Sequence, residues 1–200
     1  MIDIKPKSSP LFGLKTRSVF LKINVIGTSG SGKTTFGRVL AQNLEIPFIE
    51  MDALFWEPDW GSPIDEEFFP RLTNALKGES WVLDGNYSRT LAIKWNEVDI
   101  VIWLDYSFIR TVFQAIQRAI SRIISQEELW PGTGNWETFR KLFSKDSIVL
   151  WTISTYARKR KRISEYMKFD EYSDIKFIQL KSPSESDHFL NRIETNPELI

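Results

Sequence analysis

Two hundred residues, 42% of them apolar and 26% charged, are enough for one sizeable globular domain. The formal charge of zero excludes a chain-wide nucleic-acid footprint, and the lack of cysteine excludes disulfides and thiolate metal sites while fitting a reducing compartment. Residues 1–18 lack the apolar core of a signal peptide, and no run approaches the ~18 apolar residues of a membrane span, so a cytoplasmic chain without membrane contact is expected.

Residues 1–18 read as a polar extension, mildly basic through Lys5, Lys7, Lys15 and Arg17. The apolar run Val19–Ile26 predicts a strand. It ends in Gly27-Thr28-Ser29-Gly30-Ser31-Gly32, and Lys33-Thr34-Thr35 opens a helix. Phe36, Val39, Leu40 and Leu44 recur at helical spacing, and Pro47 ends that helix. Phe48–Met51 is a second short strand, closing at Asp52. Residues 53–78 carry Trp56, Pro58, Trp60, Gly61 and Pro63 and read as a flap. A helix starts near Pro63 there, and Pro70 is expected to kink or split it. Trp81–Leu83 and Val98–Leu104 are buried strands ending in Asp84 and Asp105. Residues 107–124 form the clearest helix, with Ile109, Val112, Phe113, Ile116, Ile120 and Ile123 expected on its buried face and Arg118 and Arg122 on the other. A lid with Pro131, Gly132 and Gly134 follows over about 125–147. Helical periodicity then runs to Met167, a last strand spans 175–180, and a last helix opens at Pro183.

Strands alternating with helices predict a parallel sheet covered on both faces, with ligands at the carboxyl ends of the strands. The expected organisation is an extension over 1–18 and one α/β domain over 19–196. The chemistry starts at the loop. Gly27 to Thr34 fits G-x-x-x-x-G-K-[ST], whose backbone N–H groups cradle phosphates at a helix N-terminus. Gly27, Thr28, Ser29, Gly30, Ser31, Gly32, Lys33, Thr34 and Thr35 are therefore the candidate nucleotide-binding residues. Lys33 would reach the β- and γ-phosphates, and the Thr34 hydroxyl would hold magnesium. A second magnesium partner should end a nearby strand, and Asp84 and Asp105 both qualify. Arg118 and Arg122, one turn apart, repel unless an anion lies between them. Arg158–Arg162 is a run of five cations. One reading closes one or two of its arginines on phosphate, with Arg160 on the apolar stripe; the second is a nucleic-acid contact. Asp52 suits a hydroxyl acceptor, as base or as positioning group. His188 reads as a surface residue.

These residues resemble the nucleoside monophosphate kinase branch of phosphate-loop proteins. The chain resembles more closely the adenylate kinase-related group often labelled DNA topology modulation proteins. The resemblance covers about residues 20–192 and rests on Gly27–Thr35, Pro47–Trp56, Trp81–Ser88 and Val101–Asp105. It implies a three-layer fold with a five-stranded parallel sheet in the order 2-3-1-4-5. Strand 3 then lies beside the loop strand, which favours Asp84 over Asp105 for magnesium. It also implies roles for Arg118 and Arg122 at the base of the lid, and for Arg158, Arg160 or Arg162 after it. Where adenylate kinases follow Asp-Gly with Phe-Pro-Arg, this chain has Asn86-Tyr87-Ser88, and Arg89 comes one residue late. The acceptor contacts expected are Asp52, Trp56 and Arg89, and the acidic Asp52 repels a monophosphate but suits a hydroxyl. The lid has no cysteine and hence no zinc site.

The function expected is an ATP- and Mg²⁺-dependent phosphotransferase whose acceptor is a nucleotide, a nucleoside or a small hydroxylic molecule. The alternative is a regulatory or DNA-binding protein that uses the nucleotide as a switch.

Overall fold

The computed structural model describes residues 20–138 and 147–200, so the extension over 1–18 and part of the lid, 139–146, lie outside the described residues. Five strands form one parallel sheet: β1 (Lys22–Gly27), β2 (Phe48–Glu50), β3 (Trp81–Asp84), β4 (Ile100–Leu104) and β5 (Lys176–Leu180). Their order is β2-β3-β1-β4-β5, as the resemblance implied. The helices are α1 (Lys33–Asn43), α2 (Met51–Phe55), α3 (Asp65–Ala75), α4 (Leu91–Lys94), α5 (Phe108–Ser125), α6 (Ile148–Tyr166) and α7 (Pro183–Thr195).

Side chains alternate across the strands and so build two cores. Ile23, Val25, Val82, Ile100, Ile102 and Leu104 face α1 and α7, meeting Phe36, Leu40 and Ile193. Ile26, Trp81, Leu83, Val101 and Trp103 face the other way, toward Met51, Phe68, Leu72 and Ile163. Burial on both faces is why these strands read as continuous apolar runs. Parallel pairing brings every strand's carboxyl end to one rim. There, Val25 pairs with Asp84 and Gly27 with Leu104, so the phosphate loop, Asp84 and Asp105 share that rim.

Two local expectations are corrected. Pro70 sits inside a continuous α3 rather than splitting it. The proline is exposed, so the Glu66 carbonyl that loses its partner on that turn is left to solvent. The face assignment of α5 is corrected for four of its six residues: Ile123 is buried as expected and Val112 half-buried, but the rest of the expected face turns out to solvent. Thr111, Ala115, Ala119 and Ile123 point inward, whereas Ile109, Phe113, Ile116 and Ile120 are exposed. The reason lies in the loop. Gly30 has φ +85° and packs so tightly on α5 that a Cβ there would come within 2.7 Å of the Thr111 carbonyl oxygen and 2.8 Å of the Ala115 Cβ. Only small residues fit beside the loop at positions 111 and 115, so the larger apolar residues of that part of the helix turn outward.

Candidate active site

The loop is a tight turn. The Ser31 N–H donates to the Thr28 carbonyl at 3.2 Å, and the Phe36 N–H donates to Gly32 as α1 begins. Gly32 also has φ +85°, a left-handed conformation natural to glycine. Lys33 Nζ folds back on the Thr28 carbonyl at 3.2 Å. Across the rim, the Thr34 hydroxyl donates to Asp84 Oδ2 at 2.5 Å. Asp84 is buried, which pushes its pKa up, while Lys33 and the Thr34 hydroxyl pull it down. Its other oxygen, Oδ1, has no hydrogen-bond partner among the described residues; the same holds for Ser31 Oγ and Arg118 Nε. Three buried polar atoms without partners around one loop are costly unless a ligand satisfies them.

Asp105 is differently engaged. Its carboxylate accepts two bonds from Arg160, Nε at 2.7 Å and Nη2 at 3.0 Å, and a third from Gln179 Nε2 at 2.7 Å. That leaves Asp84 as the strand-end carboxylate with a spare oxygen. Arg160 is accordingly tied to Asp105 rather than turned to the loop, and Arg158 is exposed. Of the five cations in this run, Lys159 is the one that is not exposed. Burial and Lys33 lower its pKa to about 8, partly offset by Asp52, and its ammonium lies 5.2 Å from the Trp151 ring centre. Arg162 donates to Ser88 Oγ at 3.1 Å. Sequence reasoning favoured the arginines of this run, and Lys159 was missed because periodicity alone does not fix which of five cations faces the cleft.

Arg118 reaches the loop from α5, with Nη2 3.4 Å from Ser29 Oγ. Burial depresses its pKa, as does its neighbour Arg122, while Glu137, Asp52 and Asp84 oppose the shift. Arg122 pairs with Glu137 at 4.0 Å.

On the acceptor side, the Tyr87 hydroxyl donates to Asp52 Oδ1 at 2.7 Å. Burial and Asp52 together push the Tyr87 pKa up, so its proton stays in place. Arg89 forms an ion pair with Asp65 at 2.7 Å and lies over the rings of Phe55 and Phe68. Trp56 stacks on Trp130 of the lid, with ring centres 5.7 Å apart, and Trp60 meets both edge-on. The buried Asn135 ties lid to flap: its Oδ1 accepts from the Trp60 N–H at 2.8 Å and its Nδ2 donates to the Glu57 carbonyl at 2.9 Å. Trp130 Nε1 donates to Glu50 at 3.4 Å. The Glu50 pKa is raised by burial and by Asp84 and Asp52.

A polar network beneath the rim was also missed. Asn24, in the middle of β1, donates to the carbonyls of Leu83 and Gly85 at 3.0 Å each and accepts from Trp95 Nε1 at 2.8 Å. Lys94 Nζ donates to the same Gly85 carbonyl at 3.2 Å, and Asn86 Nδ2 donates to the Gly27 carbonyl at 2.9 Å. The turn after Asp84 is thus fastened to the phosphate loop. The signal in the sequence is a lone Asn inside an apolar strand.

A family model of shikimate kinase matches residues 29–74, from the loop to the flap. No curated protein matches the chain. Among solved structures, a shikimate kinase from Acinetobacter baumannii in complex with shikimate superposes with a TM-score of 0.52 at 16% identity, over 88% of this chain and 91% of that one. A gluconokinase from Sinorhizobium meliloti gives 0.46 at 19% identity, over 90% and 96%. A shikimate kinase from Bacteroides thetaiotaomicron gives 0.48 at 16% identity, over 90% and 99%. Sheet order and superposition make the fold that of the P-loop kinases. The loop motif and the family match support an ATP-dependent small-molecule phosphotransferase. No helix among the described residues is long and apolar enough to cross a membrane.

Proposed function

We propose that this chain transfers the γ-phosphoryl group of ATP to a hydroxyl of a small acceptor, with its place among the P-loop kinases near the adenylate kinase-related group. The observation that carries this reading is the Thr34–Asp84 pair beside Lys33, with one buried Asp84 oxygen left over. Those two oxygen donors fit magnesium, a hard cation that takes few protein ligands alongside phosphate oxygens. Once bound, magnesium would neutralise charge on the β- and γ-phosphates.

The protein's own groups then divide the work. The loop N–H groups and Lys33 hold the donor phosphates. Arg118, with Arg122 behind it, and Lys159 from α6 face the equatorial oxygens, on which charge spreads as the phosphoryl group passes. Asp52 accepts the proton of the acceptor hydroxyl or orients it, and Tyr87 holds the carboxylate in place. Arg89 is matched to Asp65. That supports a hydroxyl rather than a monophosphate as the group recognised, because the arginine at this turn already has its carboxylate. The flap over 53–78 and the described part of the lid, 125–138, exclude water when Trp130 lies on Trp56. The test is ADP release from ATP and Mg²⁺ across nucleoside monophosphates, nucleosides, sugars and hydroxy acids. One acceptor should stimulate release, and Lys33→Ala should lose it.

A further inference from the structure

The outward turn of α5 leaves five large apolar side chains in a row: Ile109, Phe113, Ile116, Ile120 and Ile124. Ile109 is 80% exposed, Phe113 51% and Ile124 74%. Steps of three and four residues put all five on one helix face. We propose that this face binds a second copy of the chain, with the two α5 helices antiparallel about a two-fold axis beside Ile116 and Gln117. This inference does not depend on which molecule accepts the phosphoryl group.

Three observations choose a second copy. The first is shape. Gln117, Ile120, Ser121 and Ile124 line a shallow depression, together with Ser125. Residues at i, i+3, i+4 and i+7 form the hole that receives one side chain of a facing helix. An axis beside Ile116 and Gln117 sets Phe113 of each copy over the other's depression and Ile109 against Ile124, so one patch supplies both knob and hole. That self-complementarity is what a two-fold interface requires.

The second observation is charge. Arg118 and Arg122 turn inward, toward Ser29 and Glu137, and α5 holds no acidic residue. Arg110 is the exposed cation of the helix, and the proposed axis separates the two copies of it by roughly 20 Å, well beyond the screening length in physiological salt. No like charges meet across the helix pair. The third is area. The five side chains expose roughly 500–600 Å² of apolar surface per copy, which approaches the ~800 Å² per partner of a standard interface.

The chain contains no cysteine, so single cysteines report the register directly. In the full chain, Ile116→Cys and Gln117→Cys should each cross-link to a dimer under mild oxidation. Ile109→Cys and Ile124→Cys should not cross-link alone, because the axis separates each from its own copy by ~20 Å, but an equal mixture of the two should. Light scattering should give a dimer for the unmodified chain and a monomer for Phe113→Glu. If that variant fails to fold, the cysteine series still decides. A monomer at every concentration, with no cross-link at 116 or 117, would overturn the proposal by showing that something else covers the face. Self-cross-linking at 109 or 124 in place of 116 and 117 would overturn it as well.

Discussion

Replacing Asp84 with Asn should separate stability from activity. In the free protein Asp84 is buried, bonded at one oxygen by Thr34 and unpartnered at the other, with Asp52 adding its repulsion. Its pKa in the fold is raised above the unfolded value of 3.8. A raised carboxyl pKa means that the folded state holds the proton longer. The group's stabilising contribution is therefore full below about pH 3.8 and lost as pH rises through the folded pKa. At pH 7 the desolvated acid therefore costs stability that an amide of the same shape does not. Asp84→Asn should thus be more stable than the parent at neutral pH by about 1–3 kcal/mol, the scale of an unsatisfied buried polar group. The gain should shrink toward zero at pH 4. Urea unfolding of both proteins across that range, without nucleotide or metal, measures it. The same variant should lose activity by about 10²–10³-fold, and Mg²⁺·ATP should no longer raise its unfolding midpoint. A variant less stable than the parent at pH 7 would rule out an uncompensated Asp84 carboxyl, and one that keeps full turnover would rule out its part in holding magnesium.

Three further outcomes follow from the geometry. Lys159→Ala should lower kcat/KM by about 10–100-fold with little loss of stability. Arg160→Ala should do the reverse, costing about 1–3 kcal/mol because it strips a largely buried carboxylate of a two-point ion pair, with kcat nearly unchanged; steady-state kinetics beside urea unfolding distinguish the two. Lys94 is fully buried, and burial lowers its pKa to about 7. Stability tied to its neutral form is complete above the unfolded pKa of 10.5 and is lost as pH falls through 7. Lys94→Met should therefore be more stable than the parent at pH 7, and the parent should recover most of that gap, a few kcal/mol, by pH 10 when both are unfolded in urea. Asn135→Ala should release the lid from the flap, shifting the tryptophan fluorescence of the Trp56–Trp130 stack and raising the acceptor KM several-fold.

The sheet was legible in the sequence because each strand is an apolar run ending in a charged or glycine residue, and the loop spacing fixed where the first strand meets its helix. The choice of Asp84 over Asp105 came from resemblance; the contact that bears on it, Arg160 and Gln179 on Asp105, joins distant segments and has no signal in the sequence. Periodicity failed on α5 because it measures which residues share a face and not which face is inward. The close approach of Gly30 to Ala115 decides that, and it involves residues 85 positions apart. The same limit hid Lys159 within its basic run. Asn24, Lys94 and Asn135 were missed because a polar residue declares its role only through its partners, and theirs come from distant segments.

The Thr34–Asp84–Lys33 constellation, on the proposed reading, serves phosphoryl transfer to a small hydroxylic acceptor. Coupled measurement of ADP release over a panel of acceptors, with the parent and Lys33→Ala side by side, tests it most directly. Strong stimulation by a hydroxylic acceptor, absolute dependence on Mg²⁺, and loss by Lys33→Ala of about 10²–10³-fold in turnover are expected. Equal ADP release by the parent and Lys33→Ala would contradict that reading, as would turnover stimulated by DNA and by no small acceptor.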